Sequence, residues 1–448
     1  MFRNLILIIP FILPFQLFSQ THIIIKGKLK DEVGDVIRTN VRISQIKSPQ
    51  YFTHSENSGT FILSYDYYGD DNDGVFIHST WFQDKRIKIT KKQVKRAVKD
   101  TLYLTIQLPY ITLEGPVIKR EKAPDVVFSD PVLGVHDFEL HQDKLVLLTF
   151  EKSMRKGAEI VLANENEIIS RLPVPEEAVR LFKDYLDRIF VICKEQVFEC
   201  SFGNDQIKLN IVDRDQFYEQ TWLVIDTLNN QFYYSNINEL YPAFEYFAQK
   251  FTDTLSSRIH YVENELIMDL YRAEYKYASG QEKLWAVRKE MASGIDKEIW
   301  MGAKYFTNSI YYKVPYAPLF IQNKQVLIFD HYQDYLFKYN VNNQVIDSVP
   351  IYYHKLTRPV RWEQPLISDE ITQEVYSLFM KQGHFQLKKI NTETGFTSTA
   401  FQVFYKFVEA IKIANGFVYY IYRPYESAQE RFIYRESIKT QVIGPGTD

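Results

Sequence analysis

Short runs of β-branched and aromatic residues, bounded by clusters of Asp, Asn, Gly and Ser, recur along almost the whole chain and predict strands rather than helices. Between residues 22 and 108 there are six: His22–Leu29, Asn40–Gln45, Thr60–Asp66, Gly74–Phe82, Arg86–Thr90 and Thr101–Leu108. Polar breaks at Asp31–Gly34, Ser55–Gly59 and Gly69–Gly74 separate them. This spacing predicts a small β-sandwich over 21–112. Gly115–Pro124 holds two prolines and four charges and reads as part of a linker, 113–133.

From residue 134 to 440 the pattern becomes a repeated phrase of strand, polar turn, aromatic-rich strand, loop and strand. Its turns fall at Asp143, Asp187, Asn230, Asn323, Gln373 and Asn415, with gaps of 44, 43, 93, 50 and 42 residues. Four of these gaps suit four-stranded propeller blades, and 93 is about two blades. Asn264–Leu270 would open a degenerate blade inside the long gap, whereas Leu284, Val287 and Met291 give Glu282–Met301 a helical spacing. Six or seven blades are expected, seven being favoured. The fold class is therefore all-β: a small β-sandwich followed by a six- or seven-bladed β-propeller with a partly helical insertion.

Composition narrows the class. Across 448 residues, 53 Lys+Arg oppose 56 Asp+Glu, and this near balance argues against a chain built as a whole for nucleic acid. Arg3 followed by the apolar run Leu5–Phe18 reads as a secretory signal peptide over 1–20, too short to span a bilayer as a helix. No cysteine follows it, so the expected location is the periplasm or the outer membrane, reached without a lipid anchor. Residues 441–448 read as a tail. Cys193 and Cys200 are expected on a hairpin turning at Glu195-Gln196, on one face but diagonally placed, hence as two buried thiols rather than a disulfide.

Two resemblances follow from these residues. Ile25-Lys-Gly-Lys-Leu29, Asp31, Gly34, Asn40-Val41 and Asn57-Ser-Gly-Thr-Phe61 resemble the carboxypeptidase regulatory-like domain. Asn40 stands where that family usually has Ala, and Trp81-Phe82 where a Gly-Tyr pair often sits. The resemblance implies a transthyretin-like sandwich of the kind that precedes outer-membrane receptors in Bacteroidetes, and no peptidase activity. The later repeat resembles the divergent β-propellers of Bacteroidetes envelope proteins and carries no WD dipeptide.

Candidate chemistry is sparse. His136-Asp-Phe-Glu139 matches a His-x-x-Glu zinc pair, but on a strand residues three apart point to opposite faces, so no metal site is expected. Asp66–Gly74 is acidic but lacks EF-hand spacing and reads as a solvated hairpin. No nucleophile or phosphate-loop motif occurs, and the chain is expected to be no enzyme and to hold no cofactor. Lys85, Arg86, Lys88, Lys91, Lys92, Lys95, Arg96 and Lys99 form a basic run whose second half is expected as a short helix with Val94 and Val98 on its apolar edge. Such a run can meet anionic lipid or an acidic partner. Tyr-rich loops at Tyr311-Tyr312, Tyr316, Tyr332, Tyr352-Tyr353 and Tyr425 are further candidate surfaces, most of them expected to be core.

The expected role is an accessory subunit of an outer-membrane transport, secretion or assembly complex, with a barrel protein or envelope complex as partner. Docking is expected on the 256–312 insertion through Trp285, Trp300, Tyr305 and Phe306. The alternative is a glycan-binding or glycan-cleaving propeller, with Asp226, Asp330 and Asp369 as acids following corresponding inner strands.

Overall fold

A computed structural model describes residues 21–32, 34–70, 72–110, 123–165, 167–238, 240–307, 312–356, 360–423 and 431–438. The expected signal peptide, the tail, most of Gly115–Pro124, Tyr311 and Tyr425 lie outside them. The chain divides into two compact units, Met1–Glu114 and Gly115–Asp448.

The first unit is a sandwich of a three-stranded and a four-stranded sheet. Its central strand, Thr21–Lys30, alternates exposed and buried residues along its length, so Ile23, Ile25 and Leu29 enter the core. It pairs antiparallel with Thr60–Tyr67 and parallel with Thr101–Gln107. Gly27 lies opposite Phe61, whose ring would come within 2.0 Å of an added Cβ, so only glycine leaves room for that ring. A seventh strand, Phe52–His54, joins the second sheet. It is too short and too mixed to stand out as a periodic run.

The second unit is a β-propeller of six four-stranded sheets among the described residues. Blade 1 runs from Gly134–His141 at the centre to Glu167–Pro173 outside, and blade 2 from Ala178–Lys183 to Gln206–Val212. Blade 3 runs from Val224–Leu228 to Ser256–Glu263, and blade 4 from Leu319–Gln322 to Val345–Pro350. Blade 5 runs from Arg361–Ser368 to Phe401–Lys406. Blade 6 takes Glu409–Ala414, Phe417–Tyr422 and Phe432–Ser437 from one end of the propeller's chain and its outer strand, Asp125–Phe128, from the other. That strand lies in the stretch expected to be linker; four residues carry too little periodicity to be read alone.

The second strand of each blade lies between two neighbouring sheets, and its sequence shows it. Lys144–Phe150, Ile189–Cys193, Gln325–Asp330 and Val375–Lys381 are near-continuous buried runs. Each fully buried Phe or Leu in them contributes about 1.5–3 kcal/mol. Outer strands are exposed, as in Val345–Pro350. Every turn between first and second strands holds a left-handed residue: Gln142, Asp187, Asn229 and Asn230, Asn323 and Lys324, Gln373, and Asn415. The repeat positions read from the sequence are these six turns.

The long gap does not hold a seventh blade. After blade 3 come three helices, Glu265–Tyr277, Gly280–Ser293 and Lys297–Phe306, before blade 4 begins. Asn264 is not the opening of a strand: its side chain accepts from Ile267 N and caps the first helix. In the basic run, Thr90 caps a helix of one turn, Lys91–Val94. The chain then turns back at Lys99 and Asp100, both at positive φ, leaving Val98 exposed rather than on an apolar edge.

Asp369 couples two blades. Its buried carboxylate accepts from the backbone N–H groups of Ile371 and Thr372 in blade 5 and of Asn415 and Gly416 in blade 6, at 2.7–2.9 Å. Burial raises its pKa, but these four donors outweigh burial and hold it below the ordinary 3.8. A depressed folded-state pKa contributes stability that is complete above the unfolded value and is lost as pH falls through the folded one. Asp369→Asn is expected to cost roughly 1–3 kcal/mol at neutral pH. Denaturant melts at pH 7 and below pH 4 check this, the gap between variant and parent closing on the acid side.

Candidate functional site

The insertion is a braced unit. Ser279 caps its second helix, and Glu282 returns the bond to Ser279 N. Glu282 also accepts from the Tyr305 hydroxyl and, at 3.0 Å, from Lys304 Nζ. The Tyr305 hydroxyl, then Lys304 and Ser279, pull the Glu282 carboxyl down to about 2. Trp285 and Trp300 meet edge to face at 6.4 Å, with Lys304 over Trp285 and Lys289 over Trp300. Trp300 Nε1 donates to Ser293 Oγ.

The sequence-predicted rings divide by position. Phe306 stacks on the buried Tyr271 at 5.5 Å and packs the insertion itself. Trp300 is half-buried, while Trp285 and Tyr305 are exposed. Around them stand exposed apolar groups: Leu266, Leu270 and Tyr277, within one stripe of the first helix, and Leu284 and Met291, whose helical spacing was legible in the sequence, on one stripe of the second. Tyr277 and Met291 are 79% and 82% exposed. Tyr271 seats the helices on blade 3, its hydroxyl donating to Leu240 O at 3.0 Å.

A second concentration of polar groups lies at the centre of the propeller. Lys412 Nζ on the inner strand of blade 6 meets the buried Glu139 of blade 1 at 2.7 Å. Burial raises the Glu139 carboxyl and Lys412 opposes it. Lys183 of blade 2 meets Glu370 of blade 5 at 2.7 Å and Asp187 at 3.2 Å. Burial lowers the Lys183 ammonium, yet the two acids outweigh it and hold it above an ordinary lysine. The second of these pairs lines an open cavity of ≈ 1110 Å³, together with His141, Arg188, Glu199 and Tyr419. His136 turns away from Glu139, its Nε2 within 3.2 Å of Val179 O, so the His-x-x-Glu pair is split between opposite faces.

Blade 4 holds a buried polar cluster that sequence reading missed. His331 Nδ1 lies 3.0 Å from Tyr316 O and its Nε2 2.8 Å from the Tyr353 hydroxyl. Burial first, then His354, pushes the His331 pKa well below the usual histidine value. His354 and Lys355 both reach Asp334. Tyr316, Tyr332 and Tyr353, expected among surface-loop candidates, are spent here and in the adjoining core. Their only sequence signal was local density of His, Tyr and Asp.

The three proposed acids do not correspond. Asp226 lies within an inner strand, Asp369 follows one, and Asp330 ends a second strand, where it accepts from His260, Tyr332, Gln333 N and Gln333 Nε2. In the acidic hairpin, Asp73 is buried and accepts from Tyr65 Oη and the N–H groups of Tyr68, Gly69 and Asp70. That carboxylate closes a turn. Among the described residues no group of three His, Cys, Asp or Glu side chains could hold a metal ion, and no helix is long and apolar enough to cross a membrane. Cys193 and Cys200 are free, buried thiols, each pushed up to about 12 by burial. The hairpin turns at Lys194-Glu195, one residue earlier than expected, which puts Cys200 opposite Ile189 instead of Val191.

The cations of the basic run lie on an edge strand and the turn after it. Lys85 Nζ donates to Gln107 O at 2.6 Å, and Arg86 lies over Phe76. Lys88 follows on the same strand, and Lys91, Lys92, Lys95, Arg96 and Lys99 are exposed beyond it.

No protein-family model matches the chain, and no curated protein matches it in sequence. Among solved structures it is similar to a luciferin-regenerating enzyme at 8% identity, over 68% of this chain and 91% of that one, with a TM-score of 0.32. It is similar to virginiamycin B lyase from Staphylococcus aureus at 8% identity, over 64% and 77%, with a TM-score of 0.29. A puromycin-hydrolyzing peptidase of Mycobacterium tuberculosis gives 9% identity over 72% and 55%, with a TM-score of 0.35. Each of these structures carries an enzyme's name, and the expectation that this chain is no enzyme is withdrawn, since the lack of a familiar motif excludes no activity. Their identities transfer no reaction to this chain.

Gly302 tests whether the insertion is one packed body. An added Cβ would fall 2.1 Å from the Tyr271 ring, so Gly302→Ala must displace that ring. The expected result is loss of about 1–3 kcal/mol and faster amide exchange in 265–306, with blades 5 and 6 unchanged.

Proposed function

We propose that this chain is an exported envelope protein, an accessory subunit of an outer-membrane transport, secretion or assembly complex that docks a barrel protein or envelope complex through its helical insertion. The observation that carries this reading is the braced three-helix unit with Leu270, Tyr277, Trp285, Met291 and Tyr305 turned outward. Exposed aromatics and methionine held in fixed positions lose little side-chain entropy on binding. The resemblance of residues 25–61 to the carboxypeptidase regulatory-like domain, the Bacteroidetes-type repeat and the apolar segment 5–18 support the same reading.

Affinity purification of the tagged full chain from envelope extracts tests it. Trp285→Ala combined with Tyr277→Ala is expected to lower co-purification of a stoichiometric barrel partner about ten-fold or more. Tyr277 is 79% exposed, but Trp285 packs on Trp300 and under Lys304, so a loss of about 1 kcal/mol is expected and a melt of the double variant confirms folding beside the co-purification. Retention of the partner at parental stoichiometry overturns the role of the insertion.

The basic run of the first unit would give a separate contact with an anionic surface. Lys91, Lys92, Lys95 and Arg96 present four charges within six residues, on a capped turn. Each is worth about 1 kcal/mol near an anionic surface. Sedimentation with vesicles containing phosphatidylglycerol should fall strongly when all four are changed to Gln, and should vanish with neutral vesicles or at 0.5 M salt. Equal sedimentation of parent and variant removes the lipid contact.

A further inference from the structure

The six seams of the propeller are not filled alike. Among the described residues, five seams hold clusters of ten to fourteen buried residues each. The seam after blade 2 holds four: Phe190, Ile192, Val197 and Phe217. None of the four comes from blade 3. Phe217 belongs to the connector between the blades, where Asp213 caps a single turn that runs into a π-helical turn, Phe217–Thr221. Segments of this kind are frequent at functional sites.

Below that connector the blades part to leave an open cleft of ≈ 690 Å³. Tyr185 and Phe232 meet edge to face at 5.8 Å along it, and Tyr234 stacks on Phe247. Tyr185, Phe232 and Tyr234 are each half-buried, and Phe251 lies against Phe232 at 4.3 Å. Gln216, Gln220, Gln249 and Glu199 stand among them. Arg188 is set by the fully buried Asp184, its Nε at 2.8 Å, which leaves other guanidinium donors free to point elsewhere. Arg188 and Glu199 line this cleft and also the ≈ 1110 Å³ cavity at the channel mouth, so the two openings share a wall.

We propose that this cleft binds a neutral oligosaccharide. Flat apolar rings alternating with amide, carboxylate and guanidinium groups match a chain of pyranose units, which offer C–H faces between rows of hydroxyls. The cleft residues include one cation, Arg188, against Glu199 and Glu219, too little charge of either sign to select a polyelectrolyte. This reading is independent of docking through the insertion, and either can fail alone.

Calorimetric titration of the full chain with cellohexaose, mannohexaose, laminarihexaose and maltohexaose tests it. At least one is expected to bind saturably, and Phe232→Ala and Tyr185→Ala should each weaken it about ten-fold or more. Trp285→Ala should leave that affinity unchanged. Where a ring variant fails to fold, Glu199→Gln and Gln249→Ala, at partly exposed positions, carry the same expectation. Absence of binding by all four sugars at millimolar concentration overturns the proposal. So does binding that the folded cleft variants leave unaltered, or displacement of the sugar by an extended peptide with the same variant profile.

Discussion

Ring closure rests on one short strand. Asp125–Phe128 pairs with Phe432–Ser437 through Phe128↔Ile433, Val126↔Tyr434 and Asp125↔Arg435, which joins the two ends of the propeller within a single sheet. Without it, blade 6 would present an open edge and the seam with blade 1 would lose Val127 and Phe128 from its core. Phe128 is completely buried, so the pairing is held by packing as well as by the ladder. Because the strand precedes blade 1 in sequence, unfolding either end opens the ring, which makes the six blades depend on a contact spanning about three hundred residues.

Closure also explains where polar groups are tolerated inside. Six inner strands crowd around one axis, and buried ions there need partners from a neighbouring or opposite blade. Glu139 finds Lys412, Lys183 finds Glu370, and Asp369 collects four backbone donors from two blades. The cluster around His331, His354 and Asp334 is the other buried polar region, fitted between the aromatic rings of blade 4 and its neighbours. These groups align blades, and removing Lys412 leaves the buried Glu139 uncompensated.

The two irregular regions, by contrast, depart from what closure requires. A blade needs no helices, yet 265–306 forms three, with apolar side chains left outward. A seam needs a full core, yet the one after blade 2 is filled by a connector instead of by blade 3. Departures from a repeat carry meaning because the remaining units show what packing alone would produce.

Much of this was legible in the sequence. Strand periodicity, the turn residues and the 42–50 residue spacing located all six inner hairpins, because a left-handed turn between two strands needs Asn, Asp or Gly-like freedom and the buried second strand needs an unbroken apolar run. The fold class and the helical character of 282–301 followed from the same local rules. What the sequence did not determine is everything that depends on partners far apart in the chain. The strand 125–128 looked like linker because four residues have no period of their own. Seven blades seemed to fit because length was counted without the Asn264 cap that turns the chain into helix. Lys183 and Glu370, 187 positions apart, and Arg188 with Glu199 on the wall shared by the cleft and the cavity, have no sequence signature at all. Local propensity sets which residues form a strand or a turn; only closure of the ring sets which side chains face one another across it.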